Sequence, residues 1–577
     1  MKVINPTNID LLTSGERYTL DQKLKKLLSN EDCFIYVQPN INSLRPDFVV
    51  IGKAFGVLII EVKDWSEDFI LSSNSKIVNC ENGRFKNPID QVETYETIVL
   101  SKLNGVFDFI DDSGDLKVNV RTLVFYTNLS SDYLDSKPEL TGRSSLIYDR
   151  KKLRTLTLDE LVVERKNNLS NAEILAIRSV LFPEIAIPTE TSESDEFVEV
   201  KDVKALDYEQ EEFAKKVPNG HYMVSGIPGS GKTVILLSRA LHLAQRYDNY
   251  SILILTYTKA LANKLKLQFS VKVTDMSIPE SVKCRIEIKH FHKLCYDIIG
   301  FNKRVADQSG EKYYSEIWPQ EAISGLKNKT GSYDAVLVDE YQDFHVDWFE
   351  LCKQICKKNG EGQENLFFAG DRLQRIYDIT WNSYKEIGIN IQGRSKLLKI
   401  PYRTNQNHLD FALKFLSNDD VLAKDIGNFY EIEKLNSFTN NGNSIDLVKG
   451  SPSAISSYVE QLVNKLDILP EDILILCHTN YECHEMLNTL PNNIRNKFDS
   501  GKEPKKGRGL ITTYHSSKGL ESKYCILYKV DKFEVQRINR ILMYVGMTRA
   551  SEKLIVNYDR DNNFASEILS LLHQERT

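Results

Sequence analysis

The sequence predicts an α/β chain in which a small N-terminal α/β domain precedes two parallel-sheet lobes of the phosphate-loop type. Three observations predict it. At 577 residues the chain exceeds what one hydrophobic core usually serves. From residue 203 onward, short apolar runs alternate with helical stretches, the pattern of parallel strands covered by helices. Gly226-Ile227-Pro228-Gly229-Ser230-Gly231-Lys232-Thr233 fits GxxxxGK[ST], between a strand-like run and a helix-like one, the context that motif requires.

Composition is that of a globular protein, with 41% hydrophobic and 27% charged residues. A formal net charge of −6 neither supports nor excludes a nucleic-acid partner, because binding needs a local basic groove rather than a basic total. No apolar run is long enough to cross a bilayer, and the opening MKVINPTNIDLL lacks the pattern of a secretory signal. The nine cysteines include no CxxC pair, which disfavours zinc ribbons and iron–sulfur clusters. Cys352 and Cys356, one helical turn apart, read as core thiols. The expected compartment is the reducing cytoplasm.

In chain order, Ser14–Leu28 reads as an amphipathic helix with Leu20, Leu24, Leu27 and Leu28 on one stripe. Asp47–Ile51 and Gly56–Val62 read as a strand hairpin, and Thr122–Thr127 as a further strand. Residues 183–202, rich in Pro, Ser, Thr and acid, read as an exposed linker. Tyr222–Ser225, Ser251–Thr256, Ala335–Asp339, Leu366–Gly370, Ile473–Cys477 and Tyr524–Val530 read as strands. The expected division is 1–182 (core about 10–130), the linker 183–202, a first lobe 203–385 and a second lobe 386–577.

Within the octapeptide, Gly226, Gly229 and Gly231 let backbone N–H groups turn inward around phosphates, and Ser230 lies in the same loop. Lys232 is expected to reach the β- and γ-phosphates of ATP, and Thr233 to hold Mg²⁺. Asp339 and Glu340 close an apolar strand, where an open α/β sheet places its ligands. Asp339 can orient the magnesium shell and Glu340 can polarise an attacking water. Alone, such a pair would more often cap a helix.

Upstream, alternation along Gly56–Lys63 puts Glu61 and Lys63 on one strand face, and Asp47 on the partner strand can meet Glu61. Two carboxylates can share a divalent cation while a nearby amine activates water, the needs of metal-assisted phosphodiester hydrolysis. The expected ligands are Asp47 and Glu61 with Mg²⁺, or Mn²⁺. A salt-bridged surface hairpin is the plain alternative.

Residues 203–577, with their ordered motifs Asp339-Glu340-Tyr341-Gln342-Asp343, Gly370-Asp371 with Gln374-Arg375, Tyr402-Arg403-Thr404, His515–Glu521 and Tyr544–Ala550, resemble the UvrD/Rep/PcrA-like superfamily 1 helicases. The resemblance implies two RecA-like lobes with ATP between them. It further implies that Gln210 reads adenine, Gln374 senses the γ-phosphate, Arg403 and Arg549 act as arginine fingers, Tyr402 stacks on adenine and Glu521 meets the ribose. For the nucleic-acid track it implies Tyr257 and Thr258 in Thr256–Ala260, His292 in Lys289–His292, and Thr513 and His515 in Thr513–His515. Trp381 lies near another stacking position, but Thr380-Trp381-Asn382-Ser383 departs from the family pattern, so core and stacking roles stay open. Only short stretches lie between His292 and Asp334 and between Cys477 and Thr512, where large members of the family insert subdomains. Translocation is therefore a safer expectation than efficient unwinding.

The N-terminal residues resemble the PD-(D/E)xK nucleases, and the region resembles the nuclease-related domain known as NERD. The resemblance implies a restriction-endonuclease-like α/β domain over about 10–130. It adds Glu16, after Gly15, as a further acid, and Gln91, with Tyr95 one turn on, as a Gln-x-x-x-Tyr helix beginning near Asn87-Pro88.

Together these readings predict an ATP-dependent single-stranded-DNA translocase or helicase coupled to a metal-dependent endo- or exodeoxyribonuclease. Repair, end processing or antiphage defence would suit such a pairing. DNA with single-stranded character is the expected partner; a second copy or another protein remains open. Two alternatives stand beside it: a motor whose N-terminal domain only docks DNA or a partner, and an RNA-directed or signalling ATPase.

Overall fold

The computed structural model describes the chain outside residues 5–11, 43, 107–108, 111–114, 143–145, 163–166, 189–190, 194–197, 201–202, 207, 216–219, 327–330, 376–383, 399–403, 430–443, 502–503, 506 and 577. Three six-stranded sheets organise it. The first runs Lys2–Ile4, Cys33–Val37, Phe48–Gly52, Gly56–Lys63, Val120–Tyr126, Leu146–Tyr148. Its central hairpin is antiparallel, with Phe48 opposite Ile60, and Gly56–Lys63 pairs in parallel with Val120–Tyr126. Seven of the eight residues of Gly56–Lys63 are buried, because neighbours cover both faces. The amphipathic helix is present, but Thr19–Leu24 within it is a π-helical stretch, a local feature that apolar spacing does not reveal.

The second sheet runs Ile286–His290, Ile252–Thr256, Ala335–Asp339, Asn365–Gly370, Gly220–Gly226, Ser395–Leu398, all parallel. Its last strand lies beyond residue 385, so the first lobe extends to at least Leu398. The expected boundary falls short because Ser395–Leu398 is a four-residue edge strand with little apolar signal. The third sheet, also parallel, runs Ile445–Lys449, Ala550–Tyr558, Ser522–Leu527, Ile473–Cys477, Gly509–Thr513, Phe498–Ser500. Cys352 and Cys356 are buried thiols of the first lobe's core. Among the described residues no helix is long and apolar enough to cross a membrane.

The N-terminal domain and the first lobe share one apolar core. Val49, Ile59 and Val92 of the former join through Ile177, Phe182 and Ile185 to Ile235 and Leu241 of the latter. The stretch Pro183–Ile185, inside the expected linker, is a buried 3-10 turn. Lys272 Nζ donates to the carbonyls of Pro183 (2.8 Å) and Ala186 (2.9 Å), and Ser238 Oγ donates to that of Glu184. Its Pro-and-acid composition signals exposure, but Ile185 and the carbonyls find partners on the first lobe. Ala186–Pro188 then pairs antiparallel with Val203–Ala205.

At the centre of this junction is a dry ionic knot. Arg178, fully buried, donates from Nη2 to Glu211 Oε2 (2.7 Å) and from Nε to Tyr36 Oη (2.8 Å). Tyr36 Oη donates to the same Glu211 oxygen at 3.1 Å, and Lys215 Nζ reaches Glu211 Oε1 at 2.6 Å and Glu184 Oε1 at 3.0 Å. The two cations outweigh the burial penalty and hold the Glu211 carboxyl below its usual range. Removing one partner of a buried pair typically costs about 3–5 kcal/mol, because an uncompensated charge remains. Arg178→Ala should therefore lower unfolding stability by about that amount, read by chemical denaturation; a loss under about 1 kcal/mol would contradict the assignment of the knot as the junction's anchor.

Candidate functional sites

The first site lies at the mouth of the first lobe's sheet. Gly220–Gly226 ends in the phosphate loop, and the helix Lys232–Arg246 begins at once. Gly231 caps that helix at φ 86°, a left-handed conformation that glycine adopts without a Cβ penalty. Lys232 Nζ donates to the carbonyls of Gly226 and Ile227, both at 2.9 Å. Ser230 is buried and its hydroxyl donates to Ile227 O at 2.7 Å, bracing the loop. Thr233 Oγ1 donates to Asp339 Oδ2 at 3.2 Å, so the two groups expected around Mg²⁺ are already adjacent. A hydroxyl and a carboxylate are the hard oxygen donors that Mg²⁺ takes, with its remaining positions left to phosphates and water.

The acidic pair has split electrostatics. Burial, then the neighbouring Glu340 charge, pushes Asp339 up to about 7. Burial acts on Glu340 too, but the Lys518 and Lys232 ammonium groups outweigh it and hold Glu340 below the usual carboxylate range. Glu340 is therefore the ionised member, suited to polarise water, and Asp339 is the member a divalent cation would recharge. Glu340 occupies a left-handed backbone conformation at φ 55°, uncommon for a residue with a side chain.

The second lobe reaches across the cleft. Lys518 Nζ forms an ion pair with Asp343 and donates to Gln374 O at 2.8 Å. Arg549 Nη2 donates to Gln374 Oε1 at 3.4 Å, while its Nε holds Val545 O at 2.8 Å. Tyr544 Oη donates to Asp371 Oδ2 at 3.2 Å, the oxygen that also accepts from Gln374 Nε2 at 3.1 Å. Thr404 Oγ1 donates to Pro228 O of the phosphate loop at 3.2 Å. Expected residues Lys232, Thr233, Asp339, Glu340, Gln374 and Arg549 thus converge. Gln210 is buried on the helix Tyr208–Lys215, and Glu521 is exposed beside this group. Arg403, Tyr402 and Trp381 lie outside the described residues. Lys518, Asp343, Asp371 and Tyr544 fall inside the motifs but carry no role that spacing assigns; their ion pairs and hydrogen bonds span the lobes, and only the fold brings them together.

Of the expected nucleic-acid contacts, Tyr257 is half-buried and stacks on Trp348 at 5.4 Å and 19°. Thr258 caps the helix Lys259–Asp275. His292 packs among Trp318, Tyr314 and Trp348, its Nε2 3.1 Å from Tyr314 O; burial pushes it down to about 4, so the ring is neutral. Thr513 ends its strand and holds Ser516, while His515 is exposed.

The second site lies in the first sheet. Lys63 Nζ and Glu61 Oε1 are 2.6 Å apart on one strand face, as alternation predicts. Asp47 precedes the strand that pairs with this one and accepts from Val62 N at 2.6 Å. Glu16 is buried in a capping box with Thr13, and its Oε1 accepts from Gln38 Nε2 at 2.7 Å. Gly15 permits that helix to approach: an added Cβ would lie 2.9 Å from Asp64 Cβ. Gln91 Nε2 donates to Tyr95 Oη at 3.4 Å on the helix Pro88–Asn104.

Burial, then Glu61, raises the Asp47 carboxyl well above its usual value. Burial also raises Glu61, against the pull of Lys63. Lys63 is raised, its own burial outweighed by Glu61 and Asp47. These are the electrostatics of carboxylates that lack a counter-cation. The test of fit is specific: Glu61, only 2% exposed, leaves Oε2 buried without any hydrogen-bond partner, a position a divalent ion would satisfy. Among the described residues no three His, Cys, Asp or Glu side chains form a ready metal cage. Mg²⁺ does not need one, since it commonly takes one or two carboxylates and completes its shell with water and phosphate oxygens. Gln38, which sequence reasoning missed, holds both acidic residues: its amide side chain holds Glu16, and its backbone N–H donates to Asp47 O at 2.8 Å.

Residues 13–127 match the nuclease-related domain family, and residues 209–380 match an AAA domain family. One large component of an ATP-dependent helicase/nuclease from Clostridium acetobutylicum is 27% identical over 186 residues, which are 30% of this chain and 13% of that protein. The chain thus matches a small part of that relative's length.

In metal-free buffer the raised Asp339 gives a signed prediction. Its folded-state value of about 7 exceeds the unfolded one, so its stabilising contribution is complete below about pH 4 and is lost as pH rises through 7. Asp339→Asn should therefore unfold at a higher temperature than wild type at pH 8, with the gap closing towards pH 4. A pH-independent gap would place the origin elsewhere.

Proposed function

We propose that this chain, a nuclease-related domain joined to a UvrD/Rep-like helicase domain, is an ATP-driven single-stranded-DNA translocase that also cleaves DNA with a divalent cation. The observation that carries the reading is the paired construction of the two sites within one body. Thr233, Asp339 and Glu340 stand at one strand end, and Asp47, Glu61 and Lys63 stand on the neighbouring domain's sheet.

In the first site, Lys232 and the loop N–H groups would hold the phosphates, with Thr233 and Asp339 holding Mg²⁺. Glu340, kept ionised by Lys518 and Lys232, polarises the attacking water. Arg549, aimed by Val545 O and Leu520 O, stabilises charge on the transferred phosphoryl group, and Gln374 beside it senses the γ-phosphate. Arg403 is assigned the second finger and Tyr402 the adenine stack. ATP turnover would then change the Lys518 and Arg549 contacts that tie the lobes, advancing the strand along Tyr257, Thr258, His292, Thr513 and His515.

In the second site, Asp47 and Glu61 would hold Mg²⁺ or Mn²⁺, which supplies Lewis-acid stabilisation of the phosphodiester. Lys63 is placed by Glu61 to orient or deprotonate the water, and Glu16 and Gln91 border the acids. The cellular setting follows from the pairing of activities: DNA end processing, repair or defence against foreign DNA, in the cytoplasm. The relative is named as one component of a larger enzyme, which makes a partner protein worth seeking.

Labelled single-stranded and duplex DNA incubated with Mg²⁺ or Mn²⁺, with and without ATP, tests the reading. Wild type should cleave, Glu61→Ala should lose cleavage by at least about 100-fold and keep DNA-stimulated ATPase, and Lys232→Ala should lose the ATPase. Cleavage that survives Glu61→Ala would refute the site. ATPase without cleavage under any condition would leave the N-terminal domain as a docking module.

A further inference from the structure

The two helices expected to grip the nucleotide both end on the residues that place the nuclease acids. The helix Lys232–Arg246 carries Lys232 and Thr233 at one end. About 22 Å away, its C-terminal carbonyl of Gln245 accepts from Arg45 Nη2 at 2.6 Å. A guanidinium at that end meets the negative pole of the helix dipole. Arg45 is separated from Asp47 only by Pro46, whose ring fixes its own φ and restricts the residue before it. A displacement of the helix end is therefore delivered to Asp47 through a stiff link.

The second path begins beside the adenine reader. Gln210 is followed by Glu211 on the helix Tyr208–Lys215, and Glu211 is the hub of the buried knot. Tyr36, which donates to it, lies on the strand Cys33–Val37. Gln38, the residue after that strand, bonds Glu16 through its side chain and Asp47 through its backbone. It does so from a left-handed conformation at φ 45°, which an uncapped glutamine does not favour. Between the two paths lies a cavity of about 60 Å³ lined by Gln38, Arg45, Lys215, His242, Gln245 and Arg246. The polar junction thus has free volume into which its side chains can shift, unlike the close-packed apolar core around it.

From this geometry we infer that Gln38 and Arg45 are positioning residues of the nuclease site, setting Glu16 and Asp47 relative to Glu61 according to whether nucleotide occupies the phosphate loop. This rests on the two-site reading and adds its regulation: nucleotide binding itself, apart from threading of DNA, changes cleavage. Linkage makes the effect reciprocal for binding.

The experiment uses the full chain, Mn²⁺, a short single-stranded oligonucleotide and a non-hydrolysable ATP analogue, so that occupancy changes without translocation. Wild-type cleavage should change about fivefold or more on saturation with analogue. Arg45→Ala should make cleavage insensitive to analogue while DNA-stimulated ATPase stays at the wild-type rate, and Arg45→Lys should restore the response. Gln38→Gly, which keeps the left-handed backbone and deletes the amide, should also lose it. Hydrogen exchange supplies a readout independent of cleavage: analogue should alter protection across residues 34–47 in wild type and not in Arg45→Ala. An unchanged 34–47 segment in wild type, or a full analogue response in both variants, overturns the inference. Altered exchange without cleavage under any condition keeps the coupling and refutes the nuclease reading instead.

Discussion

The carboxylate of Glu211 is the constraint on which the rest of the molecule depends. Stripped of water, an isolated carboxylate would cost several kcal/mol. Here it is surrounded by one guanidinium, one ammonium and one phenol. Each comes from a different place in the chain: Tyr36 from the first sheet, Arg178 from the helix Asn171–Leu181, Lys215 from its own helix one turn on. No fragment of the chain satisfies the charge alone, so the N-terminal domain and the first lobe must dock together for either to bury it. The apolar continuity through Phe182, Ile185 and Ile235 supplies the area; the knot supplies the register.

That docking decides which parts can move. The N-terminal domain is welded to the first lobe, while the second lobe meets the first through Lys518, Tyr544, Arg549 and Thr404, together with a small apolar contact at Ile227 and Leu373. Polar contacts with buried alternatives can be exchanged for contacts with phosphate at small net cost, whereas an apolar core cannot be reopened so cheaply. A cycle of ATP binding and release therefore works on the second lobe's side of the cleft, and the nuclease-related domain travels with the phosphate loop.

How far the sequence revealed this depended on how local the physics was. The phosphate loop, the Asp339–Glu340 strand end and the Glu61–Lys63 pairing are set by residues within a few positions of one another, and spacing alone located them. Arg178, Glu211 and Lys215 were invisible: in sequence each is an ordinary charge on an amphipathic helix, and only the fold makes it buried. Gln38 gave no signal because its function is two hydrogen bonds to residues 22 and 9 positions away. The Pro183–Ile185 turn misled, since a proline-and-acid segment looks solvated until Lys272 and Ser238 claim its carbonyls. Ser395–Leu398 was missed as an edge strand too short to carry a pattern.

Backbone geometry gives a separate argument that the two sites are built alike. Among the described residues, six without a glycine's freedom adopt positive φ, and Glu340 and Gln38 are two of them. Neither is asparagine, the residue that tolerates this region best. Each therefore carries a local cost that its surroundings must offset. Around Glu340 the offset comes from Gln342, Lys518 and the strand end; around Gln38 it comes from Glu16 and the Asp47 carbonyl. A strained residue held by charged partners is sensitive to any change in those charges. A cation at Asp339 or at Glu61 would alter the field on its strained neighbour, so metal loading and backbone conformation are one equilibrium at each site rather than two.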